Sequence, residues 1–175
     1  MSIIVKCLGA GAVVGGAYML GHCYCKSLSE KERFAGKLEE GLRFLEGRIA
    51  ITEKMLSDVM KECGDKFFED TDRNVFEEFS ERLLKGQEVS QAWQEAVENM
   101  KYPSGERPEK EIEVLLKLEH AFSLSDLERY SRGFNEAAEA IKKIREEAEQ
   151  KRRKEGSAAV KISLCGALAA VLVLW

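Results

Sequence analysis

All 31 acidic residues of this 175-residue chain fall between Glu30 and Glu155, and the two ends outside that stretch are almost purely apolar. From Ile3 to Cys25 there is one formal charge, Lys6; from Ala158 to Trp175 there is one more, Lys161. Such a chain cannot bury its ends in the same way as its middle. At about 1.5 Å of rise per helical residue, a first segment of that length is sufficient to cross roughly 30 Å of hydrocarbon. Residues 1–26 and 158–175 are therefore expected to be N- and C-terminal transmembrane segments, with a charged domain between them in water.

The detail of each end fits lipid. Glycines at 9, 11, 15, 16 and 21 weaken a water-soluble helix but permit close helix approach in a membrane, and Gly11 with Gly15 makes a small-xxx-small pair. A cleaved signal peptide fits less well, since no Ala-x-Ala-like site follows the apolar run. Lipidation at Cys23 is disfavoured because His22 stands where a small residue is required. Lys6 and Lys161 lie near segment ends and can snorkel to headgroups, while Trp175 suits the opposite interface. Lys26, Lys31 and Arg33 follow the first segment and Lys151, Arg152, Arg153 and Lys154 precede the second, so the positive-inside rule places residues 27–156 in the cytoplasm and both termini outside. The basic run beside an apolar segment reads as a lipid contact. The membrane-interface residues are thus Lys6, Lys151, Arg152, Arg153, Lys154, Lys161 and Trp175.

The middle carries 24 basic against 31 acidic residues, an excess of the wrong sign for a nucleic-acid partner. Its two prolines, Pro103 and Pro108, bracket one break, and the rest is rich in Glu, Lys, Leu, Ala and Arg, the composition of helices. The stripe Leu38, Leu42, Leu45, Ile49, Thr52, Leu56 follows a helical period, with a capping box of Ser29 and Glu32 expected before it. Phe76, Phe79 and Leu83 line a second helix ending at Gly86. Trp93, Ala96, Val97 and Met100 line a third, for which Ser90 is the expected cap. A fourth should run from Pro108 through Phe122, and a longest one from a Ser125–Glu128 capping box along Leu127, Tyr130, Phe134, Ala137, Ile141, Ile144 and Ala148. Residues 149–157 offer no apolar face and read as a charged stalk. The fold class is all-α: residues 27–148 as a helical bundle, since several amphipathic helices can bury their stripes only against one another.

Chemistry is sparse. The histidines, His22 and His120, have no nucleophile arranged with them, no phosphate loop is present, and the five cysteines lack metal-ligand spacing. The pairs Glu39-Glu40, Glu77-Glu78 and Glu146-Glu147 read as solvated faces or salt-bridge partners. Asp65, Glu69, Asp70 and Asp72 form an acidic group without the spacing of a calcium loop. No cofactor or metal is expected, and a binding or scaffold role is expected in place of catalysis.

Three stretches resemble the stage III sporulation protein AB family of endospore-forming bacteria. They are Leu38, Leu42, Leu45, Glu46 and Ile49; Phe76, Phe79, Ser80 and Leu83 followed by Gly86, Ala92, Trp93, Ala96 and Val97; and Leu115 to Trp175, where Ser125-Asp126 precedes a long charged helix running into a terminal apolar segment. The chain departs from that pattern at Ser123, where the family usually has glycine, and at Tyr130, where it usually has glutamine. The resemblance implies a bundle of about six helices, similar to the cytoplasmic domains of type II secretion and type IV pilus platform proteins. It further implies a non-catalytic subunit of the secretion-like channel between mother cell and forespore, in the mother-cell membrane facing the forespore. Its partners would be a hexameric secretion-type ATPase and other sporulation channel subunits. The expected ATPase-facing residues are Asp65, Glu69, Asp70, Asp72 and Arg73. A membrane-anchored scaffold outside sporulation, and a channel-forming subunit with Lys6, His22 and Lys161 inside its spans, are the other readings of the same features.

Overall fold

The computed structural model describes residues 3–49, 55–69, 74–122 and 127–174, and among them every regular element is helical. In chain order these are α1 (Ile3–Ile49), α2 (Leu56–Phe67), α3 (Val75–Leu84), α4 (Val89–Glu98), α5 (Glu109–Leu116), α6 (Glu119–Phe122) and α7 (Leu127–Leu174). They group into two compact units, one made by Arg33–Glu146 and the other by the residues up to Glu32 with those from Glu147 onward.

The first unit holds the core. Leu38, Leu42 and Leu45 of α1, Met60 and Cys63 of α2, Phe76 and Phe79 of α3, Trp93 and Val97 of α4, Leu115 of α5, and Phe134 and Ile141 of α7 are all fully buried. The apolar stripes expected from the sequence thus converge on one another, as single-striped helices must. Aromatic rings form the centre: the Trp93 indole sits 5.2 Å from Phe79 and 5.1 Å from Phe122 in edge-to-face geometry, and Phe122 continues to Phe134 at 6.0 Å. Trp93 Nε1 donates to the Leu115 carbonyl at 2.7 Å, so its one polar atom is satisfied where α5 ends. Gly41 lets α1 approach closely, since a Cβ there would lie 3.1 Å from both Cys63 Sγ and a Phe76 ring carbon.

Local caps differ from several sequence expectations. The stripe continuing from Ile49 to Leu56 belongs to two helices: α1 ends at Ile49 and Leu56 opens α2, while Thr52 lies outside the described residues. Ser29 and Glu32 cap nothing, because α1 already begins at Ile3; Glu32 instead bonds Arg152. Ser90 is not the cap of α4. Glu88 is, its carboxylate accepting from the backbone N–H groups of Ser90 (3.1 Å) and Gln91 (3.0 Å), whereas Ser90 Oγ donates to Glu119. Asn74 caps α3 by accepting from the Glu77 N–H at 2.9 Å. At the other end of α3, Gly86 takes φ +81°, and the Gly86 and Gln87 N–H groups return to the Leu83 and Arg82 carbonyls, a Schellman closure. The helix expected from Pro108 to Phe122 is broken at Lys117–Leu118 into α5 and the single turn α6. Ser125 lies outside the described residues, as do the side chains of Leu127, Glu128 and Tyr130.

The second unit is an antiparallel pairing of α1 with α7. Cys25 Sγ donates to the Gly156 carbonyl at 2.9 Å, Tyr24 Oη donates to Glu155 at 2.6 Å, and Arg152 donates to Glu32. Residues 149–155, read from the sequence as a stalk without an apolar face, are helical and are fastened by these polar contacts. Among the described residues no helix is long and apolar enough to cross a membrane. The side chains of residues 3–8 and 170–174 and the whole of Trp175 lie outside the described residues.

Because Trp93 fills the centre of the bundle, Trp93→Ala should destabilise the full chain by about 3–5 kcal/mol, and Trp93→Phe by less, through a smaller void and one lost hydrogen bond. Thermal or urea unfolding of the full chain in detergent checks the order; equal stability of all three proteins contradicts it.

Candidate functional site

The surface of the bundle is organised by arginines bridging between helices. Glu39 on α1 is buried, with Oε1 accepting from Arg43 Nε at 3.2 Å and Oε2 lying 3.3 Å from Arg145 Nε, too poorly aligned for a hydrogen bond. Arg43 Nη2 donates to Glu139 of α7 at 2.7 Å. Two acids and two bases therefore join α1 to α7. Glu39 was expected on a solvated face or as a salt-bridge partner of nearby Lys and Arg; it is a salt-bridge partner, and it is buried and not solvated, two guanidinium groups neutralising it at the rim. Glu77 and Glu78 are half-buried, whereas Glu146 and Glu147 are exposed.

A second hub is Arg82 on α3, which donates to Glu78 at 2.8 Å and also to Glu95 of α4. Glu78 additionally accepts from Asn99 Nδ2 at 2.9 Å. The i,i+4 spacings Glu39/Arg43 and Glu78/Arg82 were visible in the sequence; the cross-helix partners Glu139 and Glu95 were not. Hydrogen bonds from Gln87 and Gln91, with the Arg82 charge, hold the Glu95 carboxyl below the usual carboxylate range. The Arg43 hydrogen bond does the same to Glu139, helped by Lys142.

Two buried groups, the Cys63 thiol and the Tyr102 hydroxyl, are kept neutral. Burial pushes the Cys63 thiol up, so it stays protonated and donates weakly to the Gly41 carbonyl at 3.5 Å. Burial, then its hydrogen bond to Glu111 at 2.7 Å, raises the Tyr102 hydroxyl. Neither offers a nucleophile at neutral pH. His120 is exposed on α6. Among the described residues no three of His, Cys, Asp and Glu are grouped to hold a metal.

Of the residues expected to face a partner, Asp65 is exposed in the last turns of α2 and Glu69 is exposed just after it. Asp70, Asp72 and Arg73 lie outside the described residues. Asp65 shares a shallow depression with Asp58, Lys61, Glu62 and Lys66, so its surroundings are of mixed charge. Glu62 there accepts from Arg48 at 2.8 Å, and Lys66 rests over the Phe44 and Phe67 rings. Sequence reasoning missed a hollow of about 380 Å³ walled by Phe34, Phe68, Val75 and Met100 and rimmed by Asn74, Asn99 and Lys101, because its walls come from stretches far apart in the chain. Of the membrane-interface residues, Lys151, Arg153, Lys154 and Lys161 are exposed and Arg152 is half-buried; Trp175 and the Lys6 side chain lie outside the described residues.

Comparison with known proteins gives a consistent picture. The family described as Stage III sporulation protein AB matches residues 6–175. A solved structure titled Stage III sporulation protein AB aligns over 70% of this chain and 96% of its own, with a TM-score of 0.60 and 20% identity, a level that speaks to fold alone. No curated protein matches the chain.

The depressed carboxyls set a pH dependence. A group whose pKa is lowered on folding contributes stability that is fully present above its usual value, 4.5, and is lost as the pH falls through its lower folded value. The melting temperature should therefore fall on acidification below about pH 4.5. A Glu95→Gln, Glu139→Gln variant should lose less than the parent over that window, and an identical pH profile of the two refutes the assignment.

Proposed function

We propose, because this chain belongs to the stage III sporulation protein AB family, that it is a non-catalytic platform subunit of the secretion-like apparatus between mother cell and forespore. Its family ties it to sporulation, and the match over residues 6–175 is the observation that carries the reading, since it takes in the bundle and nearly all of both apolar ends. The all-helical core with inert buried thiol and phenol supports a role in contact over one in chemistry.

In this reading residues 1–26 and 158–175 are the membrane segments, residues 27–156 face the mother-cell cytoplasm, and both termini lie outside. Support comes from where large apolar side chains stand exposed: among the described residues Val13, Tyr18, Met19, Leu20, Tyr24 and Ile162 belong to the paired ends, against Met55 and Leu84 in the bundle. Leaving such side chains in water forgoes about 1.5–3 kcal/mol each relative to full burial, and lipid removes that cost. The bundle docks a hexameric secretion-type ATPase, with other channel subunits sharing the membrane. Asp65 and Glu69, with Asp70, Asp72 and Arg73, are the proposed ATPase-facing residues.

Two experiments test this. Co-expressed with the secretion-type ATPase of its own system, the tagged full chain should retain that ATPase through purification, and Asp65→Lys with Glu69→Lys should reduce the yield several-fold. Unchanged capture removes this surface from the proposal, and no capture by the parent chain removes the docking role. A reporter fused after Trp175 should be active only outside the cytoplasm; cytoplasmic activity overturns the topology.

A further inference from the structure

Where the apolar ends meet the charged stretches, residues 24–32 and 149–155 carry six basic and four acidic side chains. Pairing divides the basic ones. Arg152 is committed to Glu32 across the helix pair, Arg153 donates to Glu149 at 2.5 Å on its own helix, and Lys31 is also engaged. Lys26, Lys151 and Lys154 are exposed and, among the described residues, have neither a hydrogen bond nor an ion pair.

The register brings these three to one level. Cys25 faces Gly156 and Tyr24 faces Glu155, so at about 1.5 Å per residue Lys26, Lys154 and Lys151 lie within about 6 Å of one another along the helix axes. Two carboxylates share that stretch: Glu155, which already accepts from Tyr24, and half-buried Glu30, one turn from Lys26 and level with Lys151. On the other side large apolar side chains stand out, with exposed Lys161 next to one of them: Tyr18, Met19, Leu20 and Ile162 are 55–73% exposed. A ligand that fits must present a negative charge at one level and hydrocarbon directly beside it.

We infer that Lys26, Lys151 and Lys154 form a headgroup site for anionic phospholipid, with the acyl chains against Tyr18, Met19, Leu20 and Ile162. The inference rests on the reading of both ends as membrane segments and adds a lipid class and a division of labour within the basic run. Lysine suits the task, as a flexible stem delivers a point charge to a phosphate. Arg152 instead holds the helix pair together.

The test uses the full chain in uncharged detergent, titrated with short-chain phosphatidylglycerol, with phosphatidylcholine and with inorganic phosphate, reading apparent affinity from the rise in melting temperature. Phosphatidylglycerol alone should produce the rise. Each lysine near the surface contributes about fivefold in affinity, so Lys26→Gln, Lys151→Gln and Lys154→Gln together should weaken binding on the order of a hundredfold. Arg153→Gln should keep affinity near the parent's, and the pair Lys151→Gln, Lys154→Gln serves where the triple variant melts low without lipid. Equal response to phosphatidylcholine, equal response to inorganic phosphate, or an Arg153→Gln loss matching that of the lysines overturns the site. A chain that stays monodisperse in detergent-free buffer overturns the membrane reading itself, which separates the two failures.

Discussion

The indole of Trp93 is the contact on which the bundle depends. Helices α2 to α5 have 8–12 residues each, a length at which isolated helices are marginal in water, so they persist only through what they bury together. Trp93 meets Phe76 and Phe79 of α3 and Phe122 of α6, and donates to Leu115 at the end of α5. Phe122 in turn meets Phe134 of α7. One side chain on α4 therefore touches three other helices and reaches a fourth through a ring, and its hydrogen bond occupies a carbonyl that the end of α5 leaves without a helical partner.

Around that apolar centre the helices are registered by polar contacts of a different kind. In the bundle, Glu39, Arg43, Glu139 and Arg145 hold α1 against α7. In the paired ends, the Glu32–Arg152 contact and the Cys25–Gly156 and Tyr24–Glu155 bonds do the same. Each exposed pair is individually weak, and the half-exposed arginines here gain little from Coulomb attraction alone. Their value lies in choosing one offset: sliding α7 by a single residue would turn every acceptor about 100° away from its donor.

The apolar stripes were legible because burial leaves a periodic trace in one helix at a time. Leu38, Leu42, Leu45, Phe76, Phe79, Trp93, Ala96 and Val97 could be read in that way, and all are buried. Periodicity did not disclose interruptions that keep phase. Leu56 falls on the period set by Ile49, yet it opens a new helix, and Leu118 continues the pattern of Leu115 across a turn. Caps were misread where competing donors and acceptors lay within two residues, as at Glu88 and Ser90: either side chain can cap, and the choice follows from Ser90 being drawn to Glu119, 29 positions away. The candidate site was harder still. Charges at Asp65 and Glu69 are visible as letters, but whether a charge is free or answered depends on helices that meet only in three dimensions.

That last distinction carries most of the functional content of this surface. Glu39 and Glu95 look in the sequence like any other acid of a charged bundle, and in the structure both are answered by arginine. Lys151 and Lys154 look like members of one run with Arg152 and Arg153, and in the structure they are the members left unanswered among the described residues, as is Lys26 at the first segment. An answered charge fixes the offset between helices and has little attraction left for anything else. An unanswered one has no partner among the described residues, and its field extends about one Debye length, 8–10 Å, into whatever lies alongside. Since Arg152 makes a cross-helix contact while Lys26, Lys151 and Lys154 are left facing outward, the planar, multi-donor side chain fixes geometry there and the flexible ones are left to meet a fluid surface.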